Sequence, residues 1–148
     1  RHFMSKEFAV LRQIYVQGAT FGLMVLVPIL ILSFLLRDYI ALLYTSEIFT
    51  RRLIEKNIVI SMPFLLFEYI YIVTRMTLRS MGDFWMPSLL TIATLNIFGL
   101  AISSVLFQVY EYSVSSIFLT FVACSFILMI LLLSRLAYIF RMNMPSNL

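Results

Sequence analysis

The chain alternates long stretches without a charged residue with short stretches rich in them. Charge-free runs extend from Gln13 to Leu36, from Phe84 to Tyr110 and from Tyr112 to Ser134. The 18 residues from Asn57 to Thr74 would form a fourth such run but for Glu68. Each run reaches or approaches the roughly 20 residues that a helix needs to cross about 30 Å of hydrocarbon. Strands are shorter, and an open sheet in lipid leaves backbone groups without partners. The pattern therefore predicts an all-α membrane protein with four transmembrane helices over about 13–36, 57–78, 86–108 and 113–134.

The 20 residues from Arg37 to Lys56 are too charged to span and too apolar for a plain linker. Leu42, Leu43, Ile48, Phe49, Leu53 and Ile54 are interleaved with Glu47, Arg51, Arg52, Glu55 and Lys56. This mixture predicts either a short helix over about 45–56 lying along the membrane interface or an ordinary helical connector. Thr45 or Ser46 is the expected N-cap, with Glu47 in the first turn.

Composition agrees with a bilayer as solvent. Hydrophobic residues make up 62% and charged residues 12%, against about 45–50% and about 25% in soluble domains. The net charge of +4 does not indicate nucleic acid, because the eleven Lys and Arg residues are scattered between the apolar runs. They act as topology signals instead. Arg1, Lys6, Arg12, Arg75, Arg79, Arg135 and Arg141 put seven on one side, against four at Arg37, Arg51, Arg52 and Lys56. The positive-inside rule then predicts both ends in the cytoplasm, and the expected location is the plasma (inner) membrane, as an integral protein. The first run is too long for a signal-peptide core. The chain opens on Arg1 and a charged lead-in, which reads as a piece of a longer protein.

Glu68 is the candidate for chemistry. A charged side chain at mid-bilayer costs about 3 kcal/mol even on the lower insertion scales, so such residues face a bundle interior or a wet cavity and often bind ions or protons. It lies about 16 Å of helix rise from Asn57 and about 10 Å from Arg75, near mid-membrane. Ser61, Phe64, Glu68, Tyr71 and Arg75 share one face of an ideal helix, and Tyr71 is placed to hydrogen-bond the carboxylate. Such a carboxyl can exchange protons, hold Na⁺ or attract an organic cation. The alternative is a structural ion pair with Arg75 or with a basic residue elsewhere. No enzyme is indicated: His2 is the only histidine, no Cys and His cluster offers a metal site, and no Gly-rich phosphate loop is present, so no cofactor is expected and Glu68 is a metal ligand only under Na⁺ coupling.

The other spans carry packing signals. Gly18 and Gly22 form a G-x-x-x-G pair, and Ser116, Thr120 and Cys124 repeat every four residues, both patterns that allow close helix contact. Cys124 alone cannot form an internal disulfide and reads as a buried thiol. Pro28 and Pro63 fall within spans one and two, where each removes a backbone donor. In span three, Asn96, Gly99 and Ser103 share a face, and Asn96 either bonds across helices or lines the Glu68 cavity.

Phe67-Glu68 followed by Thr77-Leu78-Arg79-Ser80-Met81-Gly82-Asp83 and Pro87 resembles the multidrug and toxic compound extrusion (MATE) transporters. In that family an acidic residue is followed eleven positions later by the Arg of a G-x-L-R-G-x-G-D type loop, and Glu68 and Arg79 have this spacing. The lead-in and Tyr44-Thr45-Ser46-Glu47 are also similar to the family, so the resemblance covers nearly the whole chain. It implies helices nine to twelve of a twelve-helix, two-lobed transporter that rocks around a midplane site. The implied function is cation-coupled antiport, with H⁺ or Na⁺ driving export of small organic cations or amphipathic drugs. The implied partners are the lipid bilayer and the N-terminal part of the same chain. Arg79 would anchor at the headgroups, and Gly82 and Asp83 would shape the tight turn and cap the next helix. Met76, Ser80 and Leu65 depart from the family pattern, which keeps a lipid-linked oligosaccharide flippase of the same superfamily as the alternative. A four-helix membrane scaffold without a transport cycle is the alternative from a different class.

Overall fold

The computed structural model describes residues 2–109 and 114–143, with side chains from residue 7 onward. Arg1, the side chains of His2 and Lys6, and residues 110–113, which include the end of the third charge-free run and the expected start of span four, lie outside the described residues.

Among the described residues, six α-helices and one π-helical segment follow one another. They are α1 (His2–Leu35), α2 (Arg37–Tyr44), α3 (Ile48–Ser80), α4 (Trp85–Ile92), the π segment (Ala93–Phe98), α5 (Gly99–Val109) and α6 (Ser115–Asn143). Helix α4, the π segment and α5 run on as one rod, Trp85–Val109. With α1, α3 and α6 it makes four helices, among the described residues, long and apolar enough to cross a membrane. Pro28 and Pro63 both lie inside continuous helices.

The segment between spans one and two is divided differently from the expectation. The short helix is α2, which follows α1 after a single break at Leu36, and Ala41 is its buried residue. Residues 48–56 are not a separate interfacial helix: they are the first turns of α3, a 33-residue helix about 50 Å long. No Pro or Gly interrupts Ile48–Met62, and Arg51 Nε pairs with Glu55 Oε1 one turn on at 3.0 Å. The charged stretch thus keeps helical hydrogen bonds as a direct continuation of the apolar part of α3. Neither Thr45 nor Ser46 is the N-cap. That position is Glu47, whose backbone N–H donates to Thr45 Oγ1 at 3.1 Å and whose Oε2 accepts from Thr50 at 2.7 Å.

Helices α3 and α6 form the centre and run parallel. Ser115 meets Asn57, Phe121 meets Phe64 and Phe126 meets Phe67, a nearly constant offset in sequence. The buried core comprises Tyr71 and Leu78 of α3 with Leu128, Leu132, Leu136 and Phe140 of α6. These α6 positions repeat every four residues and continue the small-residue series Ser116, Thr120 and Cys124, all of them buried. The result is one ridge with small residues at one end, where the backbones approach, and leucines at the other.

Helix α1 packs antiparallel on α3. Tyr15 hydrogen-bonds Thr74 Oγ1 at 2.9 Å, and because Thr74 donates its own proton to Ile70 O at 2.7 Å, Tyr15 is the donor. Tyr69 donates to Gly18 O at 3.0 Å, and its ring lies where a Cβ on Gly22 would stand. The G-x-x-x-G pair therefore opens a slot for a tyrosine. It does not bring two backbones together.

Candidate functional site

Glu68 sits in the fifth to sixth turn of α3, half-buried and flanked by residues directed at α6. Phe64 packs on Phe121 with ring centroids 5.9 Å apart, and Phe67 packs on Phe126 at 5.1 Å, both tilted. Aromatic pairs favour such tilted arrangements because the electron-rich face of one ring meets the positive edge of the other. They fix the rotation of α3, and that rotation places the stripe from Ser61 to Arg75 on the bundle side.

The Tyr71 hydroxyl donates to Glu68 Oε1 at 3.4 Å. This is long for an O–H···O bond, whose usual length is about 2.7–2.8 Å, so it orients the carboxylate more than it binds it. Tyr71 is itself buried in the α3–α6 core, which holds the phenol in place. Among the described residues no ion pair involves Glu68. Arg75 is not paired with it, and its Nε is buried without a hydrogen-bond partner. The structural pairing of Glu68 with Arg75 is therefore not formed.

Asn96 is not brought to Glu68. It lies in the π segment, exposed, and its Nδ2 donates back to Ile92 O at 2.9 Å. That segment does not pack on α3. The wider π turn separates Asn96 from Gly99, which an ideal α-helix would place on its face. Gly99 and Thr94 face inward instead, and a Cβ on Gly99 would meet Cys124 Sγ at 3.6 Å. Among the described residues, Asn96 thus neither lines the Glu68 site nor bonds across helices.

The loop after α3 is built as expected in its backbone and differently in its side chains. Gly82 has φ +86°, a left-handed conformation that glycine adopts without the Cβ penalty. Asp83 N–H donates to Leu78 O and Gly82 N–H donates to Arg79 O, each at 3.0 Å. This pair of bonds is a Schellman cap that satisfies the last carbonyls of α3. Arg79 is exposed in the last turn, at the negative end of the helix dipole. Asp83 does not cap the next helix: the N-cap of α4 is Phe84, with no side-chain cap bond. Asp83 Oδ2 instead accepts from Arg135 Nε of α6 at 2.9 Å.

Two further polar groups carry no local signal in the sequence. Asn57, nine-tenths buried, accepts a hydrogen bond from Ser115 Oγ at 3.1 Å. A cavity of about 520 Å³ opens beside it between α1, α2, α3 and the start of α6. Arg135 is the other, and its position at the end of a charge-free run marked it as a topology charge only.

The MatE family model matches residues 3–105, more than half of the chain. No curated protein and no solved structure matches it. The match takes in Glu68, the Gly82 turn and three of the four membrane-length helices, and the chain belongs to the MatE family of membrane efflux transporters.

Proposed function

We propose that the chain forms part of the second lobe of a twelve-helix secondary antiporter, in which Glu68 carries the coupling cation and Tyr71 orients it. The observation that carries this reading is a half-buried carboxylate in an otherwise uncharged stretch, bonded by one phenol and paired with no cation among the described residues. A static scaffold would have reason to neutralise such a group. An exchanger has reason to leave it open, because the carboxylate must bind and release its ion in each cycle. A carboxylate and a phenol suffice for a proton, whereas Na⁺ would need further oxygen ligands from elsewhere. Protons are therefore the first reading and Na⁺ the second.

The exported substrate on this reading is a small organic cation or amphipathic drug, attracted to Glu68 when the proton leaves. Both ends of the chain lie in the cytoplasm, with the Arg79 turn at that surface. One observation favours the flippase alternative: a half-buried guanidinium at Arg75 with its Nε unpartnered, which suits the phosphate of a lipid-linked substrate.

The test is substrate-dependent proton movement in proteoliposomes holding the complete transporter with Glu68→Gln. The expected result is loss of coupled efflux with normal expression and folding. Wild-type coupled efflux in the variant would overturn the assignment.

A further inference from the structure

The cavity of about 520 Å³ beside Asn57 has walls from four elements: Leu30 of α1, Ile40 of α2, Ile58 and Met62 of α3, and Phe118 of α6. None of its lining side chains is charged. Its size and apolar lining are those of small-molecule sites, typically about 300–1,000 Å³ with a few fixed polar groups. The polar groups here can be followed proton by proton. Ser33 donates to Ile29 O at 2.8 Å and Ser61 donates to Asn57 O at 2.6 Å, so neither hydroxyl has a proton left for a ligand.

Asn57 is different. It is 8% exposed, its Oδ1 is taken by Ser115, and its Nδ2 has no hydrogen-bond partner among the described residues. An amide N–H without a protein partner can donate to a guest, and this one borders an apolar space with room for one. An anion would meet no cation in the walls, and a cation would find no carboxylate. A neutral, largely hydrocarbon molecule with one acceptor oxygen fits both the walls and the amide.

We propose that this cavity binds an uncharged lipophilic molecule bearing a carbonyl-type oxygen, with the Asn57 amide as its hydrogen-bond donor. The site is distinct from the Glu68 site. Asn57 precedes Glu68 by eleven residues, about 16 Å along the helix, and the inference stands whether or not Glu68 couples transport. The same oxygen could come from a free small molecule or from a phospholipid ester, and the proposal commits to the free molecule.

Benzophenone, a neutral ketone that inserts into C–H bonds on irradiation, tests the proposal on the complete protein in lipid nanodiscs. Adducts mapped by mass spectrometry are expected to concentrate on residues 53–65 and 114–118. Menthone, a neutral ketone, should suppress this labelling, whereas p-menthane, its carbonyl-free counterpart, should compete about fivefold less well, the weight of one hydrogen bond. Asn57→Leu should abolish the difference between the two competitors. Met62→Trp, which fills the cavity without touching the amide, should reduce labelling of both segments and carries the test if Asn57→Leu does not fold. Adducts spread equally over exposed positions such as Phe21 and Leu100, equal competition by ketone and hydrocarbon, or labelling unaffected by Met62→Trp would overturn it. So would suppression by ester phospholipid in place of dialkyl-ether phospholipid, since a lipid would then be the occupant.

Discussion

Asp83 and Arg135 meet at 2.9 Å across 52 residues of sequence, tying the turn after α3 to the far end of α6. Both side chains are largely shielded, at 16% and 32% exposure, which puts the pair between a surface ion pair and a buried one. Asp83→Asn is expected to cost about 1–2 kcal/mol, more than the 0–1 of an exposed pair and less than the 3–5 of a fully buried one. Thermal unfolding in detergent checks this. The exchanged double variant Asp83→Arg with Arg135→Asp should recover part of the loss.

Gly18 and Gly22 look equivalent in sequence, and the structure distinguishes them. A Cβ on Gly22 would collide with the Tyr69 ring, while a Cβ on Gly18 would meet nothing within 4 Å. Gly22→Ala should destabilise the α1–α3 contact by about 1–3 kcal/mol, the usual cost of overpacking. Gly18→Ala should be neutral in the same melt. Adding Tyr69→Leu to Gly22→Ala should remove most of the penalty.

At Gly82 the constraint is the backbone alone. With φ at +86° and open space around the absent Cβ, Gly82→Ala should cost about 1–2 kcal/mol from the left-handed conformation. Gly82→Asn should cost less, because Asn tolerates that region. Unfolding midpoints of the two variants, compared with wild type, give the ordering directly.

Tyr71→Phe removes a long hydrogen bond without changing the core packing of the ring. Coupled efflux should fall by about fivefold or less, the span of one weak hydrogen bond, and should not disappear. Initial rates in proteoliposomes measure it.

The four long helices, the carboxylate at Glu68 and the glycine turn at Gly82 were legible because each is a local signal. Run length, a charge out of place and a turn residue need no tertiary contact to be read. The boundary between α2 and α3 was not legible: Ile48–Lys56 mixes charged and apolar residues, and a helix projecting beyond the bilayer has the same mixture as one lying along it. Asn96 was misplaced because the π segment changes the periodicity on which its face was judged, and no residue type announces a π turn. The roles of Asp83, Arg135 and Asn57 depend on partners more than 50 residues away, and the parallel offset of α3 and α6 that joins them is set by packing of Phe64, Phe67 and the leucine ridge.

Glu68 as the exchanging carboxylate is the central claim, and infrared difference spectroscopy of the complete protein tests it most directly. Spectra with and without substrate should differ in the protonated-carboxyl region, and the difference should vanish in Glu68→Gln. Identical spectra with and without substrate, or a carboxyl change that persists in Glu68→Gln, would contradict it.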